Sequence, residues 1–146
     1  MEHLQFKEKR IWKRIDVDNA YWYQCTDLAK DYYKEVYWIT LPSFWGCAFN
    51  GYFADWKWFE RIENSINWVP PQWALLFFTV PQKIKWKAIN YGHVAVVDHA
   101  DTNTVTVIEQ NAWTGNWSWL WSDAIRIHTY NYIKPKVLWW KVLSHN

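Results

Sequence analysis

Apolar residues recur at three- and four-residue steps from position 24 to 37, whereas from position 74 onward the period falls to two. That single change of period, from helix to strands, confines the chain to an α+β fold. In the first segment Leu28, Ala29, Tyr32, Tyr33 and Val36 share one helix face, with Cys25 in the first turn. Five β-branched or aromatic runs follow, at 74–80, 92–99, 104–110, 125–132 and 137–143, separated by turn residues. Asp101-Thr102-Asn103 reads as a tight hairpin, which makes the second and third runs antiparallel neighbours. Residues 1–15 form a polar lead-in with room for a short helix. The loop-rich stretch 41–72 carries an expected helix around 54–62, ended by Asn67 and Pro70-Pro71. The 146 residues suffice for one domain with a real core, its body running from about 15 to 142. The expected architecture is an N-terminal helix carrying Cys25, packed on an antiparallel sheet of about five strands.

A formal net charge of +2 and a pI near 8.5 leave no nucleic-acid footprint and weakly suit an anionic polymer such as cell wall. The opening MEHLQFKEKRIWKRI is charged throughout, so neither a signal peptide nor a membrane span is expected, and export needs another route. Two cysteines, Cys25 and Cys47, are too few for a disulfide framework, and pairing them would consume a nucleophile. The chemistry lies in three short motifs. YQCTDL puts Gln24-Cys25 at a helix start, YGHVAVV opens a strand with His93, and VIEQN ends one with Glu109 and Asn111. A cysteine, a distant histidine and a polar orienter are the minimum apparatus for thiol attack on an amide. The hairpin brings His93 and Glu109 to the same end of the sheet. A helix N-terminus and a neighbouring imidazolium both favour the reactive thiolate. Taken singly, a cysteine on an amphipathic helix is usually a small buried hydrophobe, and Glu109 an ordinary strand-end charge. His3, His99, His128 and His145 lack comparable context and read as surface or hairpin residues; Cys47 reads as structural. No zinc-ligand spacing is present.

Just upstream of Cys25, the carboxylates of Asp16, Asp18 and Asp27 and the main-chain carbonyls of Ala20 and Trp22 are spaced like a loop that wraps a hard cation. Oxygen ligands at alternate residues, closed by a carboxylate in the following helix, suit calcium in a structural role. An EF-hand is matched only in part, because Tyr21 stands where that motif has Gly and Asp27 replaces Glu. The alternative is two solvated loop charges and a first-turn helix acid.

Fifteen Trp against four Gly inverts ordinary usage, in which Gly runs at about 7%. Asp55-Trp56, Asn67-Trp68 and the stretch from Asn116 to Ser122 place Trp where turns usually carry Gly. Genetic codes exist in which UGA specifies glycine, and reading such a gene with UGA as Trp gives this pattern. The candidate glycine positions are Trp12, Trp22, Trp38, Trp56, Trp68, Trp73, Trp86, Trp113, Trp117, Trp119, Trp121 and Trp139. Trp58 and Trp140 read as genuine aromatics, and Trp45 is open. The competing explanation is a Trp-rich surface for stacking on sugars.

In order over residues 15–142, DVDNAYWYQCTDL, ALLFF, YGHVAVVDH, VTVIEQN, a loop that would be glycine-rich, and VLWW resemble the CHAP family of cysteine- and histidine-dependent amidohydrolases/peptidases. The resemblance implies a papain-like, NlpC/P60-like fold and a catalytic domain over the whole chain. It implies Cys25 as nucleophile, His93 as base and then acid, and Glu109 with Asn111 orienting the imidazole. Gln24, the residue before the nucleophile, would assist the oxyanion. Calcium in the loop ahead of Cys25 is likewise implied, as is glycine at Trp22, Trp73, Trp117, Trp119, Trp121 and Trp139. The implied partner is bacterial peptidoglycan, cut at the N-acetylmuramoyl-L-alanine amide or at a stem-peptide or cross-bridge bond. The setting would be a monomeric phage endolysin released from the host cytoplasm through a holin, or a virion component. The rival expectation is a non-catalytic wall- or glycan-binding module that uses aromatic stacking and is indifferent to Cys25→Ala.

Overall fold

The change of period becomes a change of layer. The computed structural model describes residues 1–19, 24–44, 48–63, 69–78, 81–84, 87–90, 92–110, 124–131 and 137–143. Its helices are α1 (His3–Arg10), α2 (Cys25–Tyr37) and α3 (Ala48–Phe53). Its strands are β1 (Phe59–Glu63), β2 (Leu75–Phe78), β3 (Pro81–Ile84), β4 (Lys87–Asn90), β5 (His93–Ala100), β6 (Thr104–Glu109), β7 (Arg126–Asn131) and β8 (Val137–Leu143). One sheet has the order β1-β8-β2-β5-β6-β7, with every neighbouring pair antiparallel. Strands β3 and β4 pair with each other in a separate antiparallel ribbon. Among the described residues no helix is long and apolar enough to cross a membrane.

The five expected strands are β2, β5, β6, β7 and β8, and the expected helix is α2. Its apolar face buries Leu28, Ala29, Tyr32 and Tyr33 in a core with Leu75, Phe77, Val94, Val96 and Ile108 from the sheet. The alternate residues Leu76, Phe78, Ala95, Val97, Val105 and Val107 form a second buried cluster. Burial on both faces explains why β2 is a continuous LLFF run where a half-exposed strand would alternate.

The helix expected around 54–62 is corrected. The helix lies earlier, at Ala48–Phe53, and 59–63 form strand β1, which pairs with β8 from Phe59↔Leu143 to Glu63↔Trp139. A five-residue run is too short for its period to decide between helix and strand, and the free edge of β8 decides it. Gly51 in α3 is required by packing, since a Cβ there would lie 2.3 Å from Phe44 Cδ1.

Helix α1, an expected possibility, is tied down by charge. His3 Nε2 meets Asp98 Oδ1 at 2.8 Å, His3 Nδ1 meets the Tyr32 hydroxyl at 2.7 Å, and Lys7 Nζ lies 3.2 Å from Asp98. Arg10 Nε donates to Asp31 Oδ2 at 2.8 Å. His3, expected at the surface, is instead enclosed in this network, because α1 lays its first turn over Tyr32 and Asp98. His99 remains largely exposed, as expected.

Candidate active site

Cys25 is the first residue of α2, and the turn before it is held by buried polar groups. Gln24 has extended backbone at the N-cap, and its N–H donates to Asp27 Oδ2 at 2.9 Å. Asp27 Oδ1 accepts from the Val17 N–H at 3.1 Å. From the sheet side the fully buried Gln110 reaches across: its Nε2 donates to the Gln24 carbonyl at 2.7 Å and the Ile15 carbonyl at 2.8 Å. Its Oε1 accepts from the Ile15 N–H at 2.7 Å. The helix start that carries Cys25 is thus fastened to the residue after Glu109. Cys25 is a free thiol, partly exposed.

His93 opens β5 directly after Gly92, whose φ of 69° is one that glycine adopts without steric cost. The imidazole is buried between two partners. Its Nε2 lies 3.0 Å from Glu109 Oε2, and the Cys25 side chain is the other neighbour that acts on its ionisation. With Nε2 engaged by the carboxylate, Nδ1 is the nitrogen left for the sulfur. Burial alone disfavours the imidazolium, but its interactions with Cys25 and with Glu109, which accepts its hydrogen bond, outweigh that and raise the His93 pKa from 6.5 to about 10.

Glu109 ends β6 with no exposed surface. Burial pushes its carboxyl pKa up, yet His93, Tyr130 and Arg126 together hold it below its ordinary value. The Tyr130 hydroxyl donates at 2.7 Å to Oε2 and 2.8 Å to Oε1, while Arg126 Nε and Nη2 each lie 3.2 Å from Oε1. Neither Arg126 nor Tyr130 stood out in the sequence. The signal was the polar alternation Arg126, His128, Tyr130 in the strand that pairs with β6, where Glu109 stands opposite Arg126. Gln110 was passed over between two more suggestive neighbours. Asn111, an expected orienter, lies outside the described residues, as do Ala20, Trp22 and Cys47.

The three acidic side chains ahead of and within the first turn of α2 come together. Asp16, Asp18 and Asp27 each offer an oxygen within 4.8 Å of the others, a group that can hold a metal ion. Asp16 Oδ1 is buried and has no hydrogen-bond partner among the described residues. Asp18 Oδ2 is 2.9 Å from Lys30 Nζ. Burial first, then the nearby Asp18 and Asp16 charges, hold the Asp27 carboxyl above its ordinary pKa despite its two backbone N–H bonds.

Sulfur, imidazole and buried carboxylate thus form a row with the parts that nucleophilic catalysis needs. The crystal structure of the wild-type endolysin LysIME-EF1 shares the fold, with a TM-score of 0.69 over 98% of this chain and 63% of that one, at 19% identity. Endolysin PlyTW of Staphylococcus phage Twort is 31% identical over 160 residues, covering 92% of this chain but only 30% of its own length. The chain therefore spans about a third of that relative. The CHAP domain model matches residues 16–111, a span that runs from Asp16 through Cys25 and His93 to just past Glu109, and the chain belongs to the CHAP domain family.

Proposed function

We propose that the chain is a peptidoglycan hydrolase that cuts an amide of the bacterial wall by thiol catalysis, in the setting of phage lysis. The observation that carries this reading is the Cys25–His93–Glu109 row in a CHAP-family chain. With the proton on His93, the sulfur of Cys25 attacks the amide carbonyl carbon, and the carbonyl oxygen becomes an oxyanion. The Cys25 backbone N–H at the helix start and a donor from Gln24 stabilise that charge. On collapse the C–N bond breaks, and His93 passes its proton to the leaving amine. His93 then takes a proton from water, whose oxygen attacks the acyl carbon and releases Cys25. Glu109, with Asn111, orients the imidazole throughout.

Calcium is the ion proposed for the acidic group. Asp16, Asp18 and Asp27, with the carbonyls of Ala20 and Trp22, would hold it, and the buried Asp16 Oδ1, without a partner among the described residues, fits a ligand role. When bound, the ion would offset two of the three crowded negative charges and fix the turn leading into Cys25.

Purified peptidoglycan incubated with the protein in calcium, and with its Cys25→Ala variant, tests this reading by mass spectrometry. New amine and carboxyl termini that vanish in the variant are expected, and their masses name the bond as muramoyl-L-alanine, stem-peptide or cross-bridge. Wall binding without new termini would replace the hydrolase with a binding module.

A further inference from the structure

We infer that Arg126 and Tyr130 are positioning residues that act on this reaction through Glu109; the inference rests on the hydrolase reading above. A fully buried carboxylate needs its oxygens occupied, or it takes a proton or turns away from its partner. Here Oε2 faces His93, Oε1 takes both Arg126 contacts, and the Tyr130 hydroxyl bridges the two oxygens. With Arg126 on Oε1 and Tyr130 across both oxygens, Glu109 is held in an orientation in which Oε2 faces the imidazole. The Phe78 ring packs against both His93 and Tyr130, at centroid distances of 5.7 and 5.0 Å, and His128 lies against the Tyr130 ring at 4.2 Å. Ring packing and hydrogen bonding therefore fix the same tyrosine.

The test is the rate at which iodoacetamide alkylates Cys25 near neutral pH, read as added mass on the Cys25 peptide of folded protein. Tyr130→Phe and Arg126→Gln are each expected to slow it about tenfold, the scale of one hydrogen bond to a charged group. Arg126→Lys should restore part of the loss. In a Glu109→Gln background neither substitution should slow it further, because both act through that carboxylate. Unchanged rates, or losses that add in the Glu109→Gln background, would overturn the inference. If Arg126→Gln does not fold, Tyr130→Phe carries the test, since it removes only a hydroxyl. Alkylation that behaves as expected beside an intact wall would sink the substrate and leave the positioning role standing.

An independent observation concerns the backbone. Of the seven tryptophans in the described residues, Trp12, Trp38, Trp58 and Trp73 have φ of 66°, 60°, 72° and 76°. Such angles occur in a few per cent of non-glycine residues, so four in seven by chance falls below about one in a thousand. At Trp38 the cap is one glycine ordinarily makes: its N–H donates to the Lys34 carbonyl and the next N–H, of Ile39, to the Tyr33 carbonyl. Trp38 is 88% exposed. At Trp73 the backbone N–H donates to Val97 and the carbonyl accepts from Tyr33, so the fold fixes φ from both sides. Trp56 is the opposite case, with ordinary φ and a ring buried against Phe44, Phe59 and the ammonium of the buried Lys141. Its indole N–H finds no acceptor among the described residues, a cost set against that packing.

The geometry points to glycine at 12, 38, 58 and 73 in the natural polypeptide and to a genuine tryptophan at 56. This reverses the sequence expectation at both 56 and 58. Peptide masses of the protein isolated from the cells that make it decide, and cleavage after Lys57 separates the two reversed positions. Glycine masses at the four sites with tryptophan at 56 are expected. Tryptophan at any of the four, or glycine at 56, would overturn the assignment.

Discussion

Position 38 shows how much a single residue can hold at odds with its backbone. A left-handed conformation costs an L-residue about 1–2 kcal/mol, while introducing glycine adds unfolded-chain entropy worth about 0.4–1 kcal/mol. Trp38→Gly is therefore expected to stabilise the chain by up to about 1.5 kcal/mol, seen as a higher urea midpoint at unchanged slope. Trp56→Gly should instead cost about 3–5 kcal/mol, because it empties a packed aromatic site and strips the ring from Lys141. A lower midpoint for Trp38→Gly would show that the ring, and not the backbone, sets that site. His93 carries the other residue-scale prediction. Its folded pKa, about 10, lies above the ordinary 6.5, so its stabilising contribution is complete below about pH 6.5 and is lost as pH rises through about 10. Glu109→Gln removes one of the two partners that raise it. The alkaline limb of Cys25 alkylation should then move to lower pH, and a limb that stays put would free Glu109 from any part in holding the imidazolium.

Helix α1 is fastened by the buried Phe6, by the Arg10–Asp31 pair and by one buried carboxylate on β5. Asp98 is met by His3, Lys7 and His99, and these partners outweigh burial to hold its pKa below the ordinary 3.8. Its contribution is present above about pH 3.8 and lost as pH falls through the lowered folded value. Asp98→Asn should cost about 1–3 kcal/mol and speed hydrogen exchange in α1 amides more than in β5. Equal acceleration in both would mean that the carboxylate holds the sheet and not the helix. The elements were unevenly legible in the sequence. Helix α2 and five strands follow from periodicity because each buries a continuous apolar face, and Cys25, His93 and Glu109 follow from motifs at element ends. Strand β1 did not, because FERIE has two partly buried residues and takes its state from the β8 edge. Arg126 and Tyr130 did not either, since a polar strand facing solvent and one facing a buried carboxylate read alike until the pairing partner is known. The φ of 72° at Trp58 was not legible for a related reason: a tryptophan's letter carries no φ.

Across the whole molecule, the groups proposed for the reaction come from three separate places, and the energetic question is what keeps them in register. Cys25 sits on the helical layer, His93 on a central strand, and Glu109 with its two supports on the adjoining strands. Gln110 ties the helix start to the sheet from one side, and the loop of Asp16, Asp18 and Asp27 borders it on the other. The first tie is built from three satisfied hydrogen bonds, whereas the second concentrates like charges and leaves Asp16 Oδ1 without a partner among the described residues. A cation at that loop would convert repulsion into the second tie, so stability and thiol reactivity should rise together. At a calcium concentration a hundred times its dissociation constant, stability should increase by about 2.7 kcal/mol. Melting temperature and the rate of Cys25 alkylation should both climb with calcium, and EDTA should reverse them. Asp16→Asn should weaken both responses while leaving the metal-free protein folded, because it removes a charge from a crowded group. If melting and alkylation ignore calcium and EDTA alike, the loop is held by the Lys30–Asp18 pair and the backbone bonds to Asp27 alone, and Gln110 is left as the principal register between thiol and carboxylate.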